Sequence, residues 1–203
     1  SSDARRIMEE QNNLDAEVIE VPWYESVDDV VLTHISGQKV VSDSGMSGTL
    51  NVQSELVTLR LILTEREVAL YREIGTQAAE VVESVCQNAR PGQTELEIAA
   101  QVKTGCIEKG ISPDCVLVGA DERIMRYRHP MPTTRKIEKC LMVVLGGEKH
   151  GLNVSMTRFV YFDAIPEEIQ TKYEKLQYLF ASMQCMMKDG MSGNDFFEGV
   201  KKL

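Results

Sequence analysis

The chain has 203 residues, 43% of them apolar and 26% charged, enough for one good-sized domain or one domain and part of another. A formal charge of −9 argues against non-specific nucleic-acid binding, which needs broad basic surface, and no run of about 18 apolar residues is present to cross a membrane. Cys86, Cys106, Cys115, Cys140 and Cys185 show neither a CxxC pair nor metal-finger spacing. With no signal-peptide pattern, they read as reduced thiols of a cytoplasmic protein, most of them buried as small hydrophobes.

Residues 1–11 read as a helix, with Asp3 as N-cap and Met8 on its apolar face. Residues 18–21, ending at Pro22, read as a strand. Val27, Val30, Val31 and Ile35 then recur at helical spacing. Residues 39–42 form a short expected strand, and residues 44–48 have loop chemistry. This β-α-β order suits the tail of a domain better than a whole one.

Residues 56–63 lead into a long helix. Thr64 and Glu67 have capping-box spacing, and Val68, Tyr71, Ile74, Gly75, Ala78, Ala79 and Val82 recur at helical intervals toward Ala89. Arg90-Pro91-Gly92 stops that helix. Thr94 and Glu97 form a second capping box, and the helix it opens runs to Gly110 through Leu96, Ala99, Ala100 and Val102. Residues 115–119 are a short apolar strand. Residues 120–136 are polar and held extended by Pro130 and Pro132.

Residues 141–162 read as an antiparallel hairpin. An apolar strand at 141–145 is followed by Gly146, Gly147 and Gly151 around a polar tip, then by a return strand rich in β-branched and aromatic residues. A hairpin centred on Lys149 and His150 sets Val144 directly opposite Ser155, the two side chains roughly 5 Å apart on one face. That geometry suits two groups sharing a metal pair or a substrate. Pro166 opens a further helix, with Tyr173, Leu176, Leu179, Phe180 and Met183 on one face. Residues 189–193 make a turn, and a last helix runs from about Asn194. Met183, Met186, Met187 and Met191 fit core packing better than a plastic binding surface, and the charged residues of 167–175 fit a solvated helix face.

The words LTEREVALYREIG (63–75), RPGQTELEIA (90–99), GADERIMRYRHPMPT (119–133) and MTRFVYF (156–162) resemble the creatinase, Xaa-Pro peptidase (prolidase, aminopeptidase P) and methionine aminopeptidase superfamily. The RHPxPT word followed by a hairpin ending in TR resembles its Xaa-Pro branch. The resemblance implies an α+β pita-bread fold. Residues 54–203 would be the first half of the catalytic domain, an incomplete pita-bread unit, and residues 1–53 the end of the α/β amino-terminal domain.

Metallopeptidases of that superfamily hold two Mn, Co or Zn ions with five side chains. Two are hairpin aspartates eleven residues apart; a histidine and two glutamates come from the second half of the domain. Counting back from Thr157 and Arg158, the aspartate positions fall on Ser155 and Val144. The later three would lie beyond Leu203. Valine donates nothing and a neutral hydroxyl is a poor ligand for a divalent ion. No metal ligand and no cofactor is therefore expected from this segment.

His129 matches the superfamily histidine that faces the substrate. In creatinase, which works without metal, the resembling histidine is an acid/base, so His129 is a candidate catalytic proton carrier; imidazole suits that task at neutral pH. The plainer reading is a loop histidine bonded to its neighbours. Arg128 and Arg158 are candidates to hold a carboxylate or guide a peptide terminus, against an internal ion pair, the reading preferred for Arg158. Ser155 is a candidate for the substrate-binding wall with Asn153 and Thr157; as a nucleophile it lacks an adjacent base. His150 is expected at the solvated tip, and His34 has no motif around it.

Two functions follow. The first is a peptidase-like hydrolase without the dinuclear site, acting on a C–N or peptide bond with His129 as proton carrier and a peptide or small amide as substrate. The second is a non-catalytic peptide- or protein-binding module. This segment alone is expected to be inactive. Its open apolar face is expected to meet a second copy, as in a homodimer, or the remainder of a longer chain.

Overall fold

The computed structural model describes residues 4–12, 17–46 and 48–203. Asp3, expected as an N-cap, lies outside them. The chain forms two compact units, one up to Thr64 and one from Glu65.

In the first unit, α1 (Ala4–Arg6) continues as a π-helical stretch over Ile7–Gln11. Residues 18–21 do not form the expected strand. A strand needs a ladder partner for its backbone groups, and the short strands of this unit pair with each other instead. These are β1 (Val41–Ser42) and β2 (Leu50–Asn51), which run parallel. Between Pro22 and β1 lies α2 (Val27–His34), capped by Ser26, whose hydroxyl accepts from the Asp29 amide at 3.2 Å. Next comes α3 (Gln53–Leu61), which ends before the second unit begins.

The second unit opens with α4 (Glu65–Asn88). Its inner face is Ile74, Ala78, Val81, Val82, Val85 and Cys86. α5 (Glu95–Glu108) starts with the expected capping box: the Thr94 hydroxyl accepts from the Glu97 amide at 3.2 Å, and the Glu97 carboxylate accepts from the Thr94 amide at 2.6 Å. Ile98, Ala99, Val102 and Cys106 turn inward, while Leu96 faces solvent. α4 and α5 meet closely at Gly105, where a Cβ would lie 2.8 Å from Val81 Cγ1.

Three antiparallel strands complete the core: β3 (Ser112–Ala120), β4 (Cys140–Lys149) and β5 (Leu152–Tyr161), in that order across the sheet. Between β3 and β4, a turn of helix α6 (Glu122–Arg126) precedes the extended proline-bearing stretch. Residues 120–136 are therefore not extended throughout. The prolines govern only the residues around them.

The hairpin tip is His150–Gly151, with φ of 57° and 76°. Two successive positive φ values are the mark of a type I′ turn, the two-residue turn whose twist suits a hairpin. This moves the centre one residue from the expected Lys149–His150. Val144 pairs with Thr157, and Ser155 with Gly146. Val144 and Ser155 keep a common face as diagonal neighbours, about 7 Å apart instead of 5 Å.

Alternation then sorts the sheet. Val116, Val118, Leu141, Val143, Leu145 and Val154 pack with α4 and α5 in one hydrophobic cluster. Leu117, Cys140 and Met142 are also buried but lie outside that cluster, on the other face. The five cysteines are free thiols; Cys86, Cys106 and Cys140 are buried, and Cys115 and Cys185 exposed. Burial pushes the Cys86 thiol up to about 11.

α7 (Glu167–Met186) and α8 (Gly193–Val200) follow the sheet. Neither has a buried residue, and Tyr173, Leu176, Phe180, Met187 and Met191 are exposed. Met183 and Met186 are half-buried, Met186 against Gly199 of α8, and none of the four methionines is a core residue. No helix among the described residues is long and apolar enough to cross a membrane.

The two faces make a direct prediction. Leu145→Ala, on the helix side, should cost about 2–5 kcal/mol in urea unfolding. Thr157→Ala, on the other side, should cost no more than about 0.5 kcal/mol. Equal costs would contradict the assignment of faces.

Candidate functional site

The face of the sheet turned away from α4 and α5 is organised in rows. Cys115, Gly146 and Ser155 form one row across the three strands; Leu117, Val144 and Thr157 form the next; Gly119, Met142 and Phe159 form the third; Cys140 and Tyr161 close the end. The middle is therefore apolar, with hydroxyls along β5. Glu148 sets a carboxylate at the hairpin end, where it accepts from the Gly151 amide.

The segment carrying His129 comes onto this face at Gly119. A Cβ there would lie 2.7 Å from Pro130 Cγ, so only glycine lets the buried Pro130 seat against the strand. His129 and Arg128, next to that anchor, are exposed.

Both ends of the segment are tied down. Upstream, Asp121 sits at φ 53°, ψ −128°, a conformation unusual for a side-chain-bearing residue. Its carboxylate accepts from the amides of Glu138, Lys139 and Cys140 at 3.1, 2.8 and 3.0 Å, and its own amide donates to the Cys140 carbonyl. Those charge-assisted bonds offset the backbone cost. Downstream, the loop lies along the start of α5: the amides of Glu95 and Leu96 donate to the carbonyls of Arg135 and Thr133.

The centre of this arrangement is Glu95, which has no exposed surface. One carboxylate oxygen accepts from the Ala120 amide at 2.9 Å and from Arg123 Nε at 2.9 Å. The other accepts from the Thr133 amide at 2.9 Å and the Thr133 hydroxyl at 2.6 Å. Arg123 also donates to the Met131 carbonyl at 2.8 Å. The carboxylate thus joins the end of β3, α6 and the residues after His129. Sequence reading missed Glu95, Asp121 and Gly119. The one available signal for Glu95 was a second acid beside the capping-box Glu97.

The candidate residues do not all converge. Ser155 lies on the outer face, exposed, beside Gly146. Arg128 and His129 lie on the loop anchored to that face. Arg158 lies on the other face, opposite Val143, and its Nη2 donates to Glu83 of α4 at 2.8 Å. That ion pair accounts for Arg158 without a ligand. His150 is at the tip, as expected.

Cys140 and Tyr161 are cross-strand neighbours on the outer face. Burial pushes the Cys140 thiol up, against the smaller opposing effect of its hydrogen bond with Tyr161. Burial, reinforced by that bond, pushes the Tyr161 phenol up to about 12. Near neutral pH both keep their protons and serve neither as nucleophile nor as base.

Val144 and Ser155 bring no carboxylate to the hairpin. Val144 offers no donor, Ser155 a neutral hydroxyl, and no group of three or more His, Cys, Asp or Glu side chains among the described residues is placed to hold an ion.

The site is framed by a three-stranded sheet backed by two long helices, with Pro130 of the histidine loop seated on its outer face at β3. Residues 69–203 match the model of metallopeptidase family M24, and the chain belongs to that family. The structure is similar to an X-Pro aminopeptidase from Thermotoga maritima MSB8, with a TM-score of 0.75 and 18% identity over 100% of this chain and 62% of that one. It is also similar to a prolidase from Pyrococcus horikoshii OT3, with a TM-score of 0.73 and 16% identity over 88% and 56%. A third likeness is to a Xaa-Pro dipeptidase from Bacillus anthracis, with a TM-score of 0.65 and 18% identity over 85% and 54%. No curated protein matches the chain. The fold is the α+β pita-bread fold of these enzymes, and the chain spans 54–62% of their lengths.

Glu95→Gln tests the hub. The four groups at the carboxylate all donate, so an amide NH₂ must face a donor. The expected loss is about 3 kcal/mol in chemical unfolding. A loss below about 0.5 kcal/mol would show that the buried carboxylate is dispensable.

Proposed function

We propose that this chain is part of a peptidase-like hydrolase that receives a peptide or small amide over the outer sheet face, beneath the loop bearing Arg128 and His129, and works without the paired metal ions. The observation that supports this most is the pairing of a held histidine segment with Val144 and Ser155 at the positions where the superfamily carries aspartates. In this reading His129 moves the proton. It takes one from the attacking water as the water oxygen adds to the carbonyl carbon, and gives it to the departing nitrogen as the C–N bond breaks. Arg128 and the Ser155 hydroxyl orient the substrate.

Residues up to 53 serve, in the same reading, as the end of an amino-terminal domain. Exposed Tyr173, Leu176 and Phe180 on α7 meet the remainder of a longer chain or a second copy. The free thiols suit a cytoplasmic location.

A second reading, a domain that binds peptides without cleaving them, is favoured by one feature. Among the described residues the rows of the outer face nearest Pro130 carry no carboxylate, so His129 has no evident acidic partner to orient it.

The natural full-length protein should be assayed with Xaa-Pro peptides and small amidines, with and without Mn²⁺ or Co²⁺. Turnover independent of metal and reduced about 100-fold or more in His129→Ala is the expected result. Metal-stimulated cleavage would overturn the metal-free reading. Saturable peptide binding with no turnover would decide for the second reading.

A further inference from the structure

We propose that the turn bearing Trp23 and Tyr24, in the first unit, is a docking surface for an arginine-bearing peptide segment of another protein. None of its residues lies on the outer sheet face, so it stands or falls apart from the peptide-site reading.

Trp23 is the one tryptophan of the chain. It is 85% exposed, and Tyr24 beside it is 72% exposed. Large rings of this kind are mostly covered in a folded protein, so two adjacent rings left open mark an interaction surface. The backbone holds them there. The Glu25 amide donates to the Pro22 carbonyl at 2.9 Å, which closes a turn with Trp23 and Tyr24 at its two corners. Ser26 then caps α2. The rings stand edge to face, with centroids 5.7 Å apart and planes at 84°. That arrangement leaves each ring at least one face free of the other.

The charge around the turn has a single sign. Residues 17–38 include Glu17, Glu20, Glu25, Asp28 and Asp29 and no lysine or arginine. All five acids are exposed. Glu25 and Asp29, with Ser26, Val30 and Thr33, line a shallow hollow of about 260 Å³ that directly follows the turn. Exposed rings elsewhere already carry a cation of this chain: the Arg123 guanidinium lies 5.3 Å from the Tyr127 ring, and Lys201 Nζ 5.2 Å from the Phe197 ring. Among the described residues no cation stands over Trp23 or Tyr24.

An indole face attracts a guanidinium, which is planar, weakly hydrated and able to stack. Neighbouring carboxylates bind the same group through charge-assisted hydrogen bonds. The acids repel nucleic acid and anionic lipid, which leaves a basic peptide as the partner whose charge is complementary. Val18, Ile19 and Val27 are exposed in the same stretch and offer apolar area to residues between the arginines.

Calorimetric titration of the natural full-length protein with two blocked peptides tests this. One is acetyl-Gly-Arg-Leu-Arg-Gly amide; the other carries citrulline at both arginines, which keeps the shape and removes the charge. The arginine peptide should bind at least about 10-fold more tightly, and added salt should weaken it. The gap should close in Trp23→Leu, which keeps apolar bulk but loses the ring, and persist in Trp23→Phe. Glu25→Lys should also narrow it. Melting temperatures should match the parent because both side chains are exposed; if Trp23→Leu unfolds, Glu25→Lys decides. Equal affinity for the two peptides, binding of neither, or an undiminished gap in either folded variant overturns the surface. So does protection of Trp23 from oxidation by N-bromosuccinimide in the peptide-free protein, read by mass spectrometry of the fragment that carries it. Such protection would mean that another segment of the same protein, or a second copy, covers the turn.

Discussion

Glu95 accepts four hydrogen bonds from groups that are distant in sequence and adjacent in space. A carboxylate without solvent is costly unless every lone pair is used, and here the donors are a strand end, a helix arginine and a threonine beyond the histidine. None of the three partners holds the arrangement alone. Ala120 fixes where β3 ends, Arg123 fixes α6 and through Met131 the chain after Pro130, and Thr133 closes the circuit onto α5. Burial of one charge converts a polar, proline-bearing connection of some twenty residues into a defined support for Arg128 and His129.

The sheet supplies the second constraint. Side chains of a strand alternate, so the residues that satisfy the helices leave every second position for the outer face. Leu141, Val143 and Leu145 are spent on the core. Met142, Val144 and Gly146 are therefore committed to the other side, and the I′ turn at His150–Gly151 sets which β5 residues meet them. A shift of one residue in the turn centre moves every cross-strand partner by two. Faces are conserved under that shift and partners are not, which is why Val144 and Ser155 still share a surface although they do not oppose each other.

Much of this was legible in the residues. Long amphipathic periodicity gave α4, the capping box gave the start of α5, and the apolar run with glycine punctuation gave the hairpin. All three are local signals whose energetics are settled within a few residues. The sequence words were also enough to reach the pita-bread fold. What escaped was decided by partners far along the chain. Residues 18–21 look like a strand but find no ladder. Tyr173, Leu176 and Phe180 have the spacing of a core face, yet spacing cannot reveal whether a covering layer is present. Glu95 and Glu97 are both acids in the first turn of one helix; only the positions of Ala120, Arg123 and Thr133 separate the buried hub from the exposed cap.

The uncharged hairpin residues and the loop charges form one electrostatic pattern. Two carboxylates on the outer face would repel each other unless cations sat between them, and they would repel an anionic ligand too. Val144 and Ser155 carry no charge, so this part of the face needs no counter-charge and is a surface an apolar group can cover. Exposed positive charge in residues 121–139 includes Arg126, Arg128 and Lys139. Among the described residues the rows nearest Pro130 carry no charged side chain, whereas the loop beside them carries Arg126 and Arg128. In the reading proposed above, proton transfer on this face falls to His129, and the Glu95 network anchors the segment that follows it through Thr133.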